Sequence, residues 1–308
     1  MSLTALVLVL LAAAVHAAWN LVATRVPGGA RFVFCYYTVS AVVLLPFGVA
    51  HLVVSGDQPR WTWLLAAVVT AVAHVAYGVV LQRGYTVGDL SVVYPLARGC
   101  GPLLSVLVAV ALLRERPGWP GLVGAGLVVV GVLVISAPRA VRTPGRRRAG
   151  AGYGMLTGVT IAAYTLWDAY SVDELGVPPV VYLAAGTVLQ SLLLAPYALR
   201  RSRSEGNGFE GTGFDGRGSG VRAEGPTHEL WREHRRSVVL VGLLSPVAYL
   251  LVLFAMRLAP VSLVAPLREV SIVLAGLAGW LILGEPHGRR RLAGSLVVLA
   301  GITAIALA

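Results

Sequence analysis

Long apolar runs recur along the chain and are broken at short intervals by Arg, Gly and Pro. Ten can be drawn, at about 3–24, 32–54, 61–82, 90–113, 120–137, 151–171, 178–199, 237–257, 260–283 and 291–307. Most are close to the roughly 20 residues that an α-helix needs to cross a bilayer. The pattern predicts an all-α polytopic membrane protein with ten transmembrane helices. Two connectors stand out. PRAVRTPGRRRAG, 138–150, reads as a basic linker at the midpoint, and the Gly/Ser/charge-rich tract 200–236 has no apolar face to bury and is expected to be disordered. Residues 1–137 and 151–308 are then two halves of five helices each.

Composition agrees. The 308 residues are 57% hydrophobic and 13% charged, against about 25% charge in an ordinary soluble domain. All 25 basic residues are Arg. Nineteen fall in connectors 1–2, 3–4, 5–6, 7–8 and 9–10, which the positive-inside rule places in the cytoplasm with both chain ends outside. Connectors 138–150 and 200–236 are therefore expected to be cytoplasmic. Basic residues that flank spans do not form the single basic face of a nucleic-acid binder, so no nucleic-acid partner is expected. The absence of Lys rules out a P-loop, and GNGFEG at 206–211 has no strand before it to make a dinucleotide site. Cys35 and Cys100 lie inside apolar runs without metal-ligand spacing. Neither a metal nor a cofactor is expected, and with no nucleophile–base pair at usable spacing the chain does not read as an enzyme.

Polar residues inside the spans repeat. HAAWN at 16–20 returns as YTLWD at 164–168, HVAYG at 74–78 as PVAYL at 246–250, and SVVYPL at 91–96 as SLVAPL at 262–267. LRERP at 113–117 parallels LGEP at 283–286, and GLVGAGLVVVG at 121–131 parallels RLAGSLVVLAG at 291–301. Five matches in one order predict a duplicated five-helix unit. Because five is odd, the second copy enters the membrane inverted, a common transporter plan with substrate bound between the halves.

Over nearly the whole chain, HAAWN (16–20), VVYPLARGCGPLLSVLVAVALLRERP (92–117) and VAPLREVSIVLAGLAGWLILGEP (264–286) resemble two EamA repeats of the drug/metabolite transporter superfamily. The resemblance implies ten helices around a cavity open to one side at a time, moving a small metabolite and often exporting it; the Arg-only, Ala/Gly/Val-rich composition points to a bacterial source, so a bacterial plasma membrane is expected. Some relatives are linked to phosphonate utilisation. Where the family has a plain Gly-Glu after helix four, this chain has Arg114-Glu115-Arg116.

Helical spacing groups the candidate residues. His16, Trp19 and Asn20 share one face, as do Tyr164, Trp167 and Asp168, while His74 pairs with Tyr77 and Tyr94 with Arg98. Polar side chains are costly against lipid and are expected to turn inward. Arg98 and Arg268 follow Pro95 and Pro266 at about 10 Å depth. They form a candidate pseudo-symmetric pair of cations for a carboxylate or phosphate, with snorkelling to the headgroups as the alternative. Tyr249 joins the expected lining. Glu269 either neutralises an arginine from another helix or carries a proton, and Asp168 is a second proton-coupling candidate or an interfacial helix-end residue. Gln82 and Gln190 are expected to hydrogen-bond between helices, Glu115 and Glu285 to tie down connectors, and Gly124, Gly126, Gly131, Gly294 and Gly301 to allow close helix contact. The expected function is secondary-active transport, by alternating access, of a small polar or anionic metabolite such as an amino acid. Multidrug efflux and movement of a phosphate-bearing lipid or phosphonate are the alternatives. The expected partners are a small-molecule substrate and the lipid bilayer; a homodimer is compatible but not required.

Overall fold

The computed structural model describes residues 1–23, 26, 29–88, 90–136, 144–199, 227–274 and 289–307. They include ten helices, α1 (Leu3–Ala23), α2 (Gly29–Ser55), α3 (Trp61–Val87), α4 (Leu90–Ala111), α5 (Gly118–Ser136), α6 (Pro144–Asp173), α7 (Pro179–Ala198), α8 (Thr227–Met256), α9 (Val261–Arg268) and α10 (Arg289–Ala306), with a further short helical segment over 270–274. No strand occurs among the described residues. α1, α2, α3, α7, α8 and most of α4 and α5 are long and apolar enough to cross a membrane, and α10 contributes the shorter apolar stretch Leu292–Ala306.

The surface is that of a protein solvated by lipid. Val42, Phe47, Leu64, Leu107, Val130 and Leu192 are exposed, whereas Asp168, Arg268, Glu269 and Gln190 are buried. Acyl chains are as apolar as leucine, so burying leucine gains little, while a polar group facing them is costly.

The two halves interlock rather than sit side by side. α2 packs on α7, α5 on α10 and α4 on α9; α1 packs on α8 and α9, while α6 packs on α3 and α4. Every one of these partnerships survives exchange of the two halves. Direction can be read from pairs of contacts. Thr38 Oγ1 is 2.7 Å from Ser191 Oγ, while further along α2 Gly48 faces Ala184, so α2 and α7 run antiparallel. Gly124 lies on the backbone of Gly301 and Gly131 on that of Gly294, so α5 and α10 are antiparallel too. At these four glycines an added Cβ would come within 2.7–2.9 Å of a carbonyl oxygen on the facing helix, which explains the small residues at this crossing. Gly126, expected among them, has nothing within 4 Å and faces away from the seam.

Several boundaries depart from the hydropathy pattern. α6 starts at Pro144, so the last residues of the basic stretch are helical. The tract expected to be disordered is helical from Thr227 onward, and a kink at His234 separates this part from the apolar body of α8. HELWREHRR is a short helix former whose Leu230 is buried; its polarity hid it from a search for membrane spans. Residues 200–226 lie outside the described residues. The span expected at 260–283 is interrupted: α9 ends at Arg268, Glu269 forms a turn and helix resumes over 270–274. Pro266 has no N–H to donate, and the Glu269 N–H bonds Pro266 O at 3.0 Å, a tighter closure than an α-helical turn.

Candidate functional site

Each half supplies one proline-weakened helix, α4 with Pro95 and Pro102 and α9 with Pro266, and the two meet inside the bundle. Arg98 Nε lies 3.3 Å from Glu269 Oε2. Neither atom meets the angular requirements of a hydrogen bond, so the contact is a charge pair rather than a directed bond. Arg98 also stands over the Tyr94 ring, 5.9 Å from its centroid. Glu269 thus lies beside an arginine of another helix.

Arg268 is 6% exposed, which does not fit snorkelling. Its Nη2 donates to the Tyr164 hydroxyl at 3.1 Å. Its guanidinium carbon sits 5.9 Å from the Tyr164 ring and 5.8 Å from that of Tyr249. Nη1 is buried without a hydrogen-bond partner, and among the described residues Arg268 makes no ion pair.

Asp168 is fully buried, as an interfacial helix-end residue would not be. The Tyr182 hydroxyl donates to Oδ1 at 2.6 Å, and the Tyr249 hydroxyl donates to Oδ2. The carboxylate thus ties α6 to α7 and α8. His74 Nε2 is 4.0 Å from Oδ2, and His74 Nδ1 is 2.9 Å from Thr70 O. Nδ1 also lies 3.1 Å from Thr70 Oγ1, so it donates to the carbonyl when protonated and accepts from the hydroxyl when not, and Nε2 attracts the carboxylate only when it carries a proton. The imidazole lies 4.2 Å from the Tyr164 ring and edge-on to Tyr249 at 5.5 Å. Tyr77 completes this group, 5.7 Å from Tyr164.

The opening motif divides between two layers. His16 lies within electrostatic reach of both Arg98 and Arg268. Trp19, 4.8 Å from His16, turns to Tyr36 and packs with Phe32 and Cys35. Asn20 donates from Nδ2 to His16 O at 3.0 Å, a bond within its own helix. Trp167 donates from Nε1 to Ala66 O at 3.1 Å, anchoring α6 on α3. The spacing therefore brings together His16, His74, Tyr77, Tyr94, Arg98, Tyr164, Asp168, Tyr249, Arg268 and Glu269, with Trp19, Asn20 and Trp167 in supporting positions.

Outside the cluster, Gln82 is exposed and Gln190 buried. Glu115 ties down a connector, accepting from the backbone N–H groups of Val261 and Ser262 at 2.9 Å each. Glu285 lies outside the described residues. Tyr182 and Thr70 escaped the sequence reading, because neither stands at a telling spacing from the residues it holds. Tyr36 and Tyr37, in contact at 4.7 Å, were missed as well, although a polar pair within an apolar run marks them. A groove of about 580 Å³, lined by Phe34, Val39, Val43, Leu199 and Trp231 among others, shares no residue with the cluster.

A model described as the EamA-like transporter family matches residues 3–137 and again 148–307. No curated protein matches the chain. A solved structure described only as "Crystal structure of protein" is similar over 100% of this chain and 98% of its own, with 17% identity and a TM-score of 0.75, which shows a shared fold. Matched twice and almost from end to end, the chain belongs to the EamA-like transporter family, membrane transporters of the drug/metabolite transporter superfamily.

Proposed function

We propose that the chain is a secondary-active transporter of a small polar or anionic metabolite, an amino acid or a related compound, working by alternating access between two inverted five-helix repeats. The antiparallel course of α2 against α7 and of α5 against α10, together with helix partnerships that survive exchange of the halves, supports the inverted arrangement. The observation that carries the substrate reading is Arg268 Nη1, a buried donor without a partner on a cation that makes no ion pair among the described residues. A guanidinium does not lose its proton at accessible pH, so a carboxylate is the natural complement, and two parallel N–H groups can hold one bidentately. The tyrosine faces around Arg268 exclude water and strengthen that contact.

Asp168, Glu269 and Arg268 are buried, while His16, His74, Tyr77, Tyr94, Arg98 and Tyr249 keep partial exposure, so the charges lie beneath a partly accessible lining. His74 and Asp168 form the proton-coupling element of this reading, because a proton on Nε2 would turn their 4.0 Å approach into an attraction. The substrate's own gradient is the alternative source of energy. Export is the direction that the family likeness implies.

Proteoliposome flux of labelled amino and carboxylic acids, with and without a pH gradient, tests the reading. Arg268→Gln is expected to cut the flux of anionic solutes at least 10-fold, equivalent to about 1.4 kcal/mol of binding or transition-state energy, while membrane insertion is retained. Unchanged kinetics in the variant would remove Arg268 from the site. A second reading, movement of a phosphate-bearing lipid, draws on the apolar groove between α2 and α8; transfer of labelled lipid between leaflets in the same liposomes would favour it.

A further inference from the structure

Counting from the two prolines changes which residues correspond. In SVVYPLAR and SLVAPLRE, Arg98 stands three residues after Pro95, and Glu269 stands three residues after Pro266. Arg98 and Glu269 are thus the equivalent positions, and they form the charge pair that joins α4 to the end of α9. Arg268 corresponds to Ala97 and has no cationic counterpart. The two arginines are therefore unlike in kind. The charge of Arg98 is met by a carboxylate of the chain itself, whereas Arg268 is met by a tyrosine hydroxyl and two aromatic faces, with Nη1 unpartnered.

Building on the anion site proposed above, we infer that Glu269 is the specificity-determining residue. By occupying Arg98 it leaves one uncommitted guanidinium, so the site selects solutes with a single carboxylate over dicarboxylates and doubly charged phosphate esters.

Charge count away from bulk water decides the preference. At short range and low dielectric a single unbalanced charge outweighs any one hydrogen bond, and a buried cation stripped of its partner is strongly unfavourable. A solute with two negative charges would place the second among groups already balanced. If Glu269 loses its charge, Arg98 becomes a second demand for an anion near Arg268, because Glu269, 3.3 Å from Arg98 Nε, is the next residue after Arg268. Asp168 keeps its charge although Tyr182 and Tyr249 donate to both its oxygens, and as a further buried negative charge it weighs against a second anionic group on the solute. Arg98 could also satisfy itself by drawing in an inorganic anion, so the inference predicts a change of preference and not merely a loss of affinity.

The test uses the full chain purified in detergent, with thermal stabilisation titrated by lactate and by succinate at matched ionic strength. In the wild type, lactate is expected to half-saturate at a concentration at least 10-fold below succinate. Glu269→Gln should invert that order. Arg98→Gln frees Glu269 to neutralise the neighbouring Arg268 and should weaken lactate at least 10-fold. The double variant R98Q/E269Q, and the exchange R98E/E269R that rebuilds the pair with its ends reversed, should both restore the wild-type order. Rescue by R98Q/E269Q, which has no ion pair, is not expected of residues that only hold the helices together. An unchanged order in E269Q overturns the inference, as does a wild type that prefers succinate; if E269Q does not fold, an R98Q protein that still binds lactate normally, or a double variant that fails to regain the wild-type order, does the same. If the wild type answers to lactate but the order never moves, Arg268 remains an anion site and only the role of Glu269 is lost. If neither anion stabilises the wild type, the anion site itself falls and the inference with it.

Discussion

Replacing Glu115 by alanine removes the cap from α9. Pro260, at the N-cap, offers no side-chain bond, and its carbonyl already accepts from Leu263 and Val264 at 3.0 and 3.2 Å. The first two N–H groups of the helix, those of Val261 and Ser262, are left to Glu115, which takes each with one carboxylate oxygen at 2.9 Å. Both residues are buried, at 2% and 1% exposed, so water does not readily replace the carboxylate. An orphaned buried donor costs about 1–3 kcal/mol, and the lost anion at the helix N-terminus adds about 0.3–1 kcal/mol. Because Glu115 itself is only half-buried, some water enters, and the expected loss is about 2–4 kcal/mol. Glu115→Gln keeps one acceptor but points an amide N–H₂ at the other donor, so it should recover no more than about half of that loss. Equilibrium unfolding by SDS in mixed micelles, followed by tryptophan fluorescence, gives the energies, and hydrogen exchange should show faster amides at Val261 and Ser262. A loss below about 0.5 kcal/mol for the alanine variant, within the range of an ordinary surface change, would refute the capping argument.

The same unfolding assay checks three further expectations. Gly131→Ala puts a methyl within 2.8 Å of Gly294 O and 2.9 Å of Val298 N, so it should cost about 1–3 kcal/mol as helices part, whereas Gly126→Ala meets nothing and should gain up to about 1 kcal/mol of helix propensity. Arg114 holds φ 56 at the end of α4, a left-handed conformation that costs an L residue about 1–2 kcal/mol; Arg114→Gly should stabilise by about 0.5–1 kcal/mol once the freer unfolded chain is counted. Tyr182→Phe leaves Asp168 Oδ1 without its donor and should cost about 1–3 kcal/mol, whereas Tyr170→Phe, at a tyrosine 41% exposed, should change stability by less than about 0.5 kcal/mol.

Much of the architecture was legible because lipid enforces a simple rule: a span must be long and apolar, and any charge inside it must turn toward protein. Arg268 and Asp168 obeyed that rule, and their motifs marked the duplication. Glu115 kept the connector role its position suggested, although Arg114 occupies the place where the family pattern has glycine. The same rule hid other features. Polar helical residues at 144–150 and 227–236 fail a hydropathy criterion even when they extend a span. The break at Glu269 depends on how Pro266 closes its turn, which composition does not reveal. Trp19 and His16 share a helical face by spacing, but residues three apart still diverge by about 60°, enough to send one toward Tyr36 and the other toward the arginines. The acid–tyrosine bonds from Tyr182 and Tyr249 to Asp168 join three helices, and no local pattern encodes a contact of that kind.

The opposite charges at Arg98 and Glu269 bear on how such a molecule came to be a single polypeptide. Had an ancestor assembled from two identical five-helix subunits, these positions would have carried the same residue, and two arginines or two glutamates would have repelled each other at the meeting point. Complementary ends require unlike halves. Once established, they also discourage either half from associating with another copy of itself, so the fused chain gains a preference for its own other half that neither separate piece could possess.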